Sequence, residues 1–264
     1  MKLPLMIAAD APHLRRRLHI TLATLPISFR AQEEGASGAA VLIGGERDWP
    51  ARAATAIDAG ARAVIIIDPA MTDADAGLAL ADRAEQAGVV VELAERYAGD
   101  PTLLRHRTDL AEHLAATSTI LISQLGGFAT PADAALDMAR TMRALGQSLR
   151  VTHIWQTGHA VVVRGASGDM LFEGIATAGN AGPGQQVDAL GFGRTLRLSL
   201  RGDGSARPSD LRLANGKGER KLPQVFESVD RAAWQRALAA VRAGAAECSA
   251  LRELAADIAM IGAL

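Results

Sequence analysis

The sequence predicts an α/β chain: a parallel sheet wrapped by helices, followed by an α+β region built on a mainly antiparallel, open sheet. Three observations lead there. Over the first hundred residues, short apolar runs alternate with helix-period segments. Those runs are apolar on both faces, as in AVIIID at residues 63–68, which is how strands buried inside a parallel sheet read. After residue 149, six β candidates follow one another, separated by turns rich in Gly, Asn and Asp.

Taken in order, PLMIAAD reads as a strand and HLRRRLHITLATL as a helix with Leu14, Leu18, Leu22 and Leu25 at apolar spacing. ISFRAQ is a strand, EEGASG a turn, AAVLIGG a strand, and RDWPARAATAIDAG a helix closed by Gly60. ARAVIIID is the next strand. TDADAGLALADRAEQAG is a helix with Thr72 as N-cap and Gly88 as C-cap, and VVVEL completes the set. A polar connecting segment, DPTLLRHRTDLAEHLAAT, precedes the strand STILISQ and the helix PADAALDMARTMRALG. RVTHIWQT, HAVVVRG, DMLFEGIAT, QQVDALGF, RTLRLSLR and DLRLAN are the β candidates. The helices SVDRAAWQRALAAVRAG and SALRELAADIAMIGAL end the chain. The expected division is 1–100 and 101–264.

A parallel sheet of this kind binds ligands at the carboxyl ends of its strands. Those ends are Ala8 to Asp10, Gln32, Gly44-Gly45, Asp68-Pro69 and Leu93 to Arg96. Composition narrows the classes of function. The 28 basic and 29 acidic residues leave a net charge of −1, so no global field draws the chain to nucleic acid or an anionic membrane. The single cysteine, Cys248, rules out disulfide frameworks and multi-thiolate metal sites. The start MKLPLMIAAD is too short and wrongly flanked for a signal peptide, and no run of 18 apolar residues occurs. A cytoplasmic protein is expected. Of its 28 basic residues only Lys2, Lys217 and Lys221 are lysines, which restricts where a catalytic amine can be.

The order of elements resembles the Gfo/Idh/MocA family of NAD(P)-dependent sugar oxidoreductases. The stretch DAGARAVIIIDPAMTDADAGLALADRAEQAGVVVEL is similar to that family's strand, catalytic turn, helix and next strand. ALDMARTMRALG resembles the helix after its catalytic histidine, and ESVDRAAWQRALAAVRAG its near-terminal helix. The resemblance implies a Rossmann-like first domain for residues 1–100 and, for residues 101–264, an α/β domain serving substrate binding and oligomerisation.

The family's motifs are altered at three places. Its Gly-x-Gly-x-x-Gly turn corresponds to AADAPH, which puts Ala8, Asp10 and His13 where glycines let a pyrophosphate approach the backbone. A carboxylate at Asp10 about 4 Å from a pyrophosphate costs roughly 1 kcal/mol even with water-like screening. Asp10 also reads as an ordinary helix N-cap with Pro12 in the first turn. The family's Glu-Lys-Pro becomes Ile67-Asp68-Pro69. Asp68 reads as a polar residue closing a strand, or as a general base in place of the lysine. The family's Asp-x-x-x-His pair falls, aligned on Asp137, at Thr130 and Ala134. Among the six histidines, His153 and His159 beside Trp155 are the candidates to line a pocket. His19 lies on the first helix, His106 and His113 in the connecting segment, and the run Arg15-Arg16-Arg17 reads as a solvated helix face.

These substitutions point to a family-like chain that is non-catalytic alone: a ligand-binding protein for a small sugar-like molecule, or a subunit. The subunit would form a homo-oligomer, or a hetero-oligomer with a catalytically intact homologue, through its open sheet. Neither nucleic acid nor membrane is an expected partner, and no cofactor is expected. The alternative is a working sugar or polyol dehydrogenase with NAD or NADP, using Asp68 with His153 or His159. Positionally, Ala8, Asp10, Gly44, Gly45 and Pro69 would then border the cofactor, with Glu33 or Glu34 near a ribose hydroxyl.

Overall fold

A computed structural model of the chain describes residues 2–7, 12–32, 35–179, 182–202, 204–246 and 248–263. It divides into two compact units. In the first, β1 (Leu3–Ile7), α1 (Pro12–Thr24), β2 (Phe29–Ala31), β3 (Ala40–Gly44), α2 (Trp49–Asp58), β4 (Ala63–Ile67), α3 (Ala74–Ala87) and β5 (Val90–Ala94) alternate as expected. The five strands are all parallel, in the order β2-β1-β3-β4-β5. Successive residues of β3 and β4 are buried on both faces, so their unbroken apolar runs match two helical layers. The expected N-cap at Thr72 moves one residue. Asp73 accepts the Asp75 backbone N–H, while the Thr72 hydroxyl donates to the Arg47 carbonyl. Gly88 caps the other end at φ 65°, in the left-handed region where glycine carries no Cβ penalty.

The second unit begins with α4 (Pro101–Arg105) and α5 (Arg107–Leu114), two short helices where a polar connecting segment is expected. Then come β6 (Thr117–Leu125), α6 (Pro131–Ala144), β7 (Arg150–Gln156), β8 (Ala160–Ser167), β9 (Met170–Thr177), β10 (Gly184–Gly191), β11 (Arg194–Arg201), β12 (Asp210–Asn215) and β13 (Gly218–Lys221). They form one eight-stranded sheet, ordered β13-β12-β11-β10-β6-β9-β8-β7. Every pairing is antiparallel except β6 with β9. The short, fully exposed β13 lacks the apolar alternation that would mark it in the sequence. One face of the sheet packs against α6 and α5, and its residues alternate buried and exposed along β6, β9 and β11. On the other face Leu121, Leu125, Trp155, Leu171 and Ile175 are exposed along β6, β7 and β9. Toward β12 and β13 that face carries ion pairs instead, Arg197 with Asp188, and Arg212 and Lys221 with Asp210.

The last two helices, α7 (Val229–Ala243) and α8 (Ser249–Gly262), correct the expected division. The first unit comprises Met1–Glu95 together with Val229–Ala259, and the second Arg96–Ser228 with Met260–Leu264. The reason is packing. Val229, Ala233, Trp234, Ala237 and Leu238 of α7 share a buried core with Leu14 and Leu18 of α1, with Leu25 just after it, and with Leu3, Leu42 and Ile65 of the sheet. Trp234 meets Phe29 edge to face, with ring centroids 5.6 Å apart. α8 lies by α3, where Arg252 donates to Asp82 and Glu85 and Ala255 touches Gly77.

Candidate functional site

In the parallel sheet the strand order turns about β1: β2 lies on one side of it, and β3, β4 and β5 on the other. Doubly wound sheets open a ligand crevice at such a point, outside the carboxyl ends of the strands. Of the expected cofactor positions, Ala8 and Asp10 lie outside the described residues, as do Glu33 and Glu34 and the His13 side chain. Gly44, Gly45, Asp68 and Pro69 are brought together at the ends of β3 and β4.

The turns after β3 and β4 touch. A Cβ built on Gly45 would stand 2.1 Å from the Asp68 carbonyl oxygen, so only glycine lets the two chains approach this closely. The Ala70 N–H donates to the Gly45 carbonyl at 2.7 Å, and the buried Trp49 indole donates to the Ala70 carbonyl at 3.1 Å. Arg52 donates to the Gly44 carbonyl at 2.6 Å and also pairs with Glu46 and Asp48. The space beside Gly44 and Gly45 is therefore filled by protein: the Glu46 side chain at one and the Asp68 backbone at the other. These glycines serve the contact between the two turns.

Asp68 stands at the centre of this edge. Its φ of 49° is left-handed, and it is the one non-glycine residue with positive φ among those described. Aspartate tolerates this region better than most side chains, though at a cost of order 1 kcal/mol. Its N–H donates to the Ala94 carbonyl at 3.1 Å. Its carboxylate accepts from the Nη1 of Arg17, 3.2 Å away on α1. The same guanidinium grips Asp230, in the first turn of α7, through Nε at 2.7 Å and Nη2 at 2.5 Å. Burial acts to lower the Arg17 pKa, but the bond to Asp230 and the charges of both carboxylates outweigh it and hold the group above the ordinary arginine range. The run Arg15-Arg16-Arg17 is thus a solvated face only at Arg15 and Arg16. Sequence reasoning misses Arg17 and Asp230. One signal is present for the first: Arg17 lies three residues after Leu14 and directly before Leu18, on the edge of the buried stripe of α1.

A half-buried pair joins β5 and α7, where Arg236 donates to Glu92 from Nε and Nη2. Burial pushes the Glu92 carboxyl up, and Arg236 partly offsets it.

Thr130 and Ala134, the positions aligned with the family's Asp-x-x-x-His pair, lie in the second unit. Thr130 is the N-cap of α6 in a reciprocal capping box with Asp133, and Ala134 is fully buried. Asp137 accepts from the amide of buried Gln124. Gln124 in turn accepts from Gln185, whose oxygen accepts from the Thr141 hydroxyl. His153 is exposed on β7 and stacks on Trp155, ring centroids 5.2 Å apart and 5° from parallel, with the Arg164 guanidinium 5.3 Å from the Trp155 ring centre. His159 sits exposed in the β7–β8 turn, its N–H directed at the Thr157 hydroxyl. His106 and His113 are buried instead of lying in a solvated connector. Their Nε2 atoms meet the carbonyls of Pro223 and Thr195, each at 2.9 Å. Among the described residues no cluster of three metal-ligating side chains occurs, and no helix is long and apolar enough to cross a membrane.

No family model and no curated protein matches the sequence. Solved structures do match over the whole chain. UDP-N-acetylglucosamine 3-dehydrogenase GnnA from Acidithiobacillus ferrooxidans aligns with TM-score 0.74 at 14% identity, covering 100% of this chain and 98% of its own. A lysine-to-glutamate mutant of KijD10, a 3-ketoreductase from Actinomadura kijaniata in complex with TDP-benzene and NADP, aligns with TM-score 0.77 at 13% identity, covering 100% and 97%. The dehydrogenase MviM from Clostridium difficile aligns with TM-score 0.68 at 9% identity, covering 100% of both chains. The fold is that of the Gfo/Idh/MocA oxidoreductases. At these identities the likeness is one of fold alone.

Proposed function

We propose that this chain is a member of the Gfo/Idh/MocA family released from dehydrogenase chemistry, inactive alone and working as a ligand-binding protein or as the partner subunit of a catalytically intact homologue. The observation that carries this reading is the fate of Asp68. Where the family resemblance puts a lysine, the chain has a carboxylate tied through Arg17 to Asp230, so that residue closes the edge of the sheet. Thr130 and Ala134 add to it, one committed to a helix cap and the other buried. Two guanidiniums at this edge, Arg17 and Arg52, already face carboxylates, which does not favour a pyrophosphate. The exposed apolar stripe of Leu121, Leu171, Ile175 and Trp155 is suited to burial against another chain, as homo-oligomer or hetero-oligomer. A cytoplasmic location fits a protein of this type.

Titration with NADH and NADPH, followed by co-purification from the native host, tests this. The expected results are no saturable nucleotide binding and recovery of a related chain with intact glycine, lysine and histidine motifs. Turnover of a sugar with either nucleotide by the purified chain alone would refute the reading.

One observation favours the alternative, an active dehydrogenase using NAD or NADP with Asp68 as base. A fold neighbour in which a lysine has been replaced by glutamate holds NADP nonetheless, so an acidic replacement of a lysine does not by itself exclude the nucleotide. Under that alternative Asp68→Ala would lower turnover and leave nucleotide affinity unchanged.

A further inference from the structure

The three-residue charge cluster at the end of β4 is unequal in its two halves. Asp230 holds Arg17 through two parallel bonds, and the Asp230 side chain is only 4% exposed. Such a bidentate, desolvated pairing fixes the guanidinium plane. The third contact is single and longer, 3.2 Å from Nη1 to Asp68, and it is the more exposed half, with side chains 28% and 18% accessible. The Asp68 backbone is pinned by Ala94 and by the close approach of Gly45, so the contact with Arg17 can change through the Asp68 side chain while the turn stays in place. The site lies at the carboxyl edge of the sheet, where folds of this class take their ligands.

We propose that Arg17 is an oxyanion receptor in a self-occupied state, Asp68 standing in for the carboxylate or phosphate oxygen of a small acidic ligand. Asp230 aims the guanidinium, and Asp68 fills its open edge until a ligand oxygen replaces it. At rest two carboxylates share one guanidinium, so an incoming anion meets a net negative cluster and binds weakly while Asp68 keeps its charge. Removing that charge exposes the receptor. The inference rests on Asp68 being non-catalytic, and its test separates the two ideas.

The experiment follows the Arg17 Nε–H resonance by ¹⁵N NMR at low ionic strength, titrating acetate and inorganic phosphate, with chloride as control. Asp68→Asn is expected to bind at least one of the two oxyanions about tenfold or more tightly than the parent chain. A gain with phosphate alone identifies a phosphoryl ligand, and a gain with acetate alone a carboxylate ligand. Because Arg17→Gln by itself strands the Asp230 charge, the control is Arg17→Gln/Asp68→Asn/Asp230→Asn, followed through the backbone amides of residues 66–70. It is expected to lose the binding. Equal affinity in parent and Asp68→Asn, or binding that survives in the triple variant, overturns the proposal. If Asp68 is instead a dehydrogenase base, Asp68→Asn lowers turnover and leaves oxyanion affinity unmoved.

Discussion

The Asp230 carboxylate holds the Arg17 guanidinium along one edge, with bonds of 2.7 Å and 2.5 Å, so a residue 213 positions away fixes the side chain that faces Asp68. Arg17→Gln leaves Asp230 buried without its counter-charge, and a loss toward the lower end of about 3–5 kcal/mol is expected. Asp230→Asn leaves Arg17 still paired with Asp68 and partly in water, so its cost is smaller, about 1–2 kcal/mol. Urea denaturation checks the asymmetry. Equal losses from the two changes would mean that the pair is not oriented as described.

Gly45→Ala tests the contact between the two strand-end turns. The new methyl would stand 2.1 Å from a backbone oxygen that cannot rotate away. The turn has to shift, at a cost of about 2–4 kcal/mol. Gly146→Ala, at φ 78° with no neighbour near the added carbon, isolates the cost of backbone conformation alone and should lose only about 1 kcal/mol. Thermal and urea unfolding of both variants measures the difference.

Asp100, the buried N-cap of α4, should make stability depend on pH in an unusual direction for an aspartate. Burial raises its pKa, partly countered by the Ser209 hydroxyl and the Thr102 backbone N–H. The folded chain therefore holds this proton more tightly than the unfolded chain. The Asp100 contribution is fully present below the ordinary aspartate range and is lost as pH rises through the raised folded value. Asp100→Asn keeps a capping oxygen and removes the charge. Its stability relative to the parent should improve with rising pH across that window, read from urea midpoints. A parent-minus-variant difference that is flat across that window would exclude this role.

The exposed stripe on the open sheet predicts association through that face. Leu171→Glu changes a side chain that is 62% exposed, so chain stability should stay within about 0.5 kcal/mol. Assembly should nevertheless weaken, whether with a second copy or a related chain, because a charge would be desolvated in the contact. Sedimentation velocity of parent and variant gives the readout. Arg197→Glu, within the ion-paired part of the same face, serves as the comparison.

Most of the first unit is legible in the sequence because its strands are bounded by glycine and by periodic helices. Gly88 marks the end of α3, and the run from Ala63 to Ile67 is apolar throughout. β13 is not legible, since GERK carries no buried side chain to set a period. The helices α4 and α5 are masked by their charges, although His106 and His113 inside them are buried through carbonyl partners on distant strands. Asp68 stands out at the candidate site through its position before Pro69. Its partners do not, because ion pairs between α1, the β4 end and α7 are set by tertiary packing and leave no local period. The same cause hides the return of α7, whose Trp234 reads as any amphipathic helix residue until Phe29 is seen against it.

That return bears on how the chain matures. The first unit takes Val229 to Leu238 into its core beside Leu5 and Leu14. A ribosome therefore has to make the whole intervening sheet before the opening strands can close their interior. The second unit draws almost entirely on the contiguous stretch Arg96–Ser228, adding only Met260–Leu264 from the end of the chain, so most of it is available earlier. Until α7 emerges, the amino-terminal strands remain an open, greasy half-structure, and this interval is when the nascent protein most depends on chaperones.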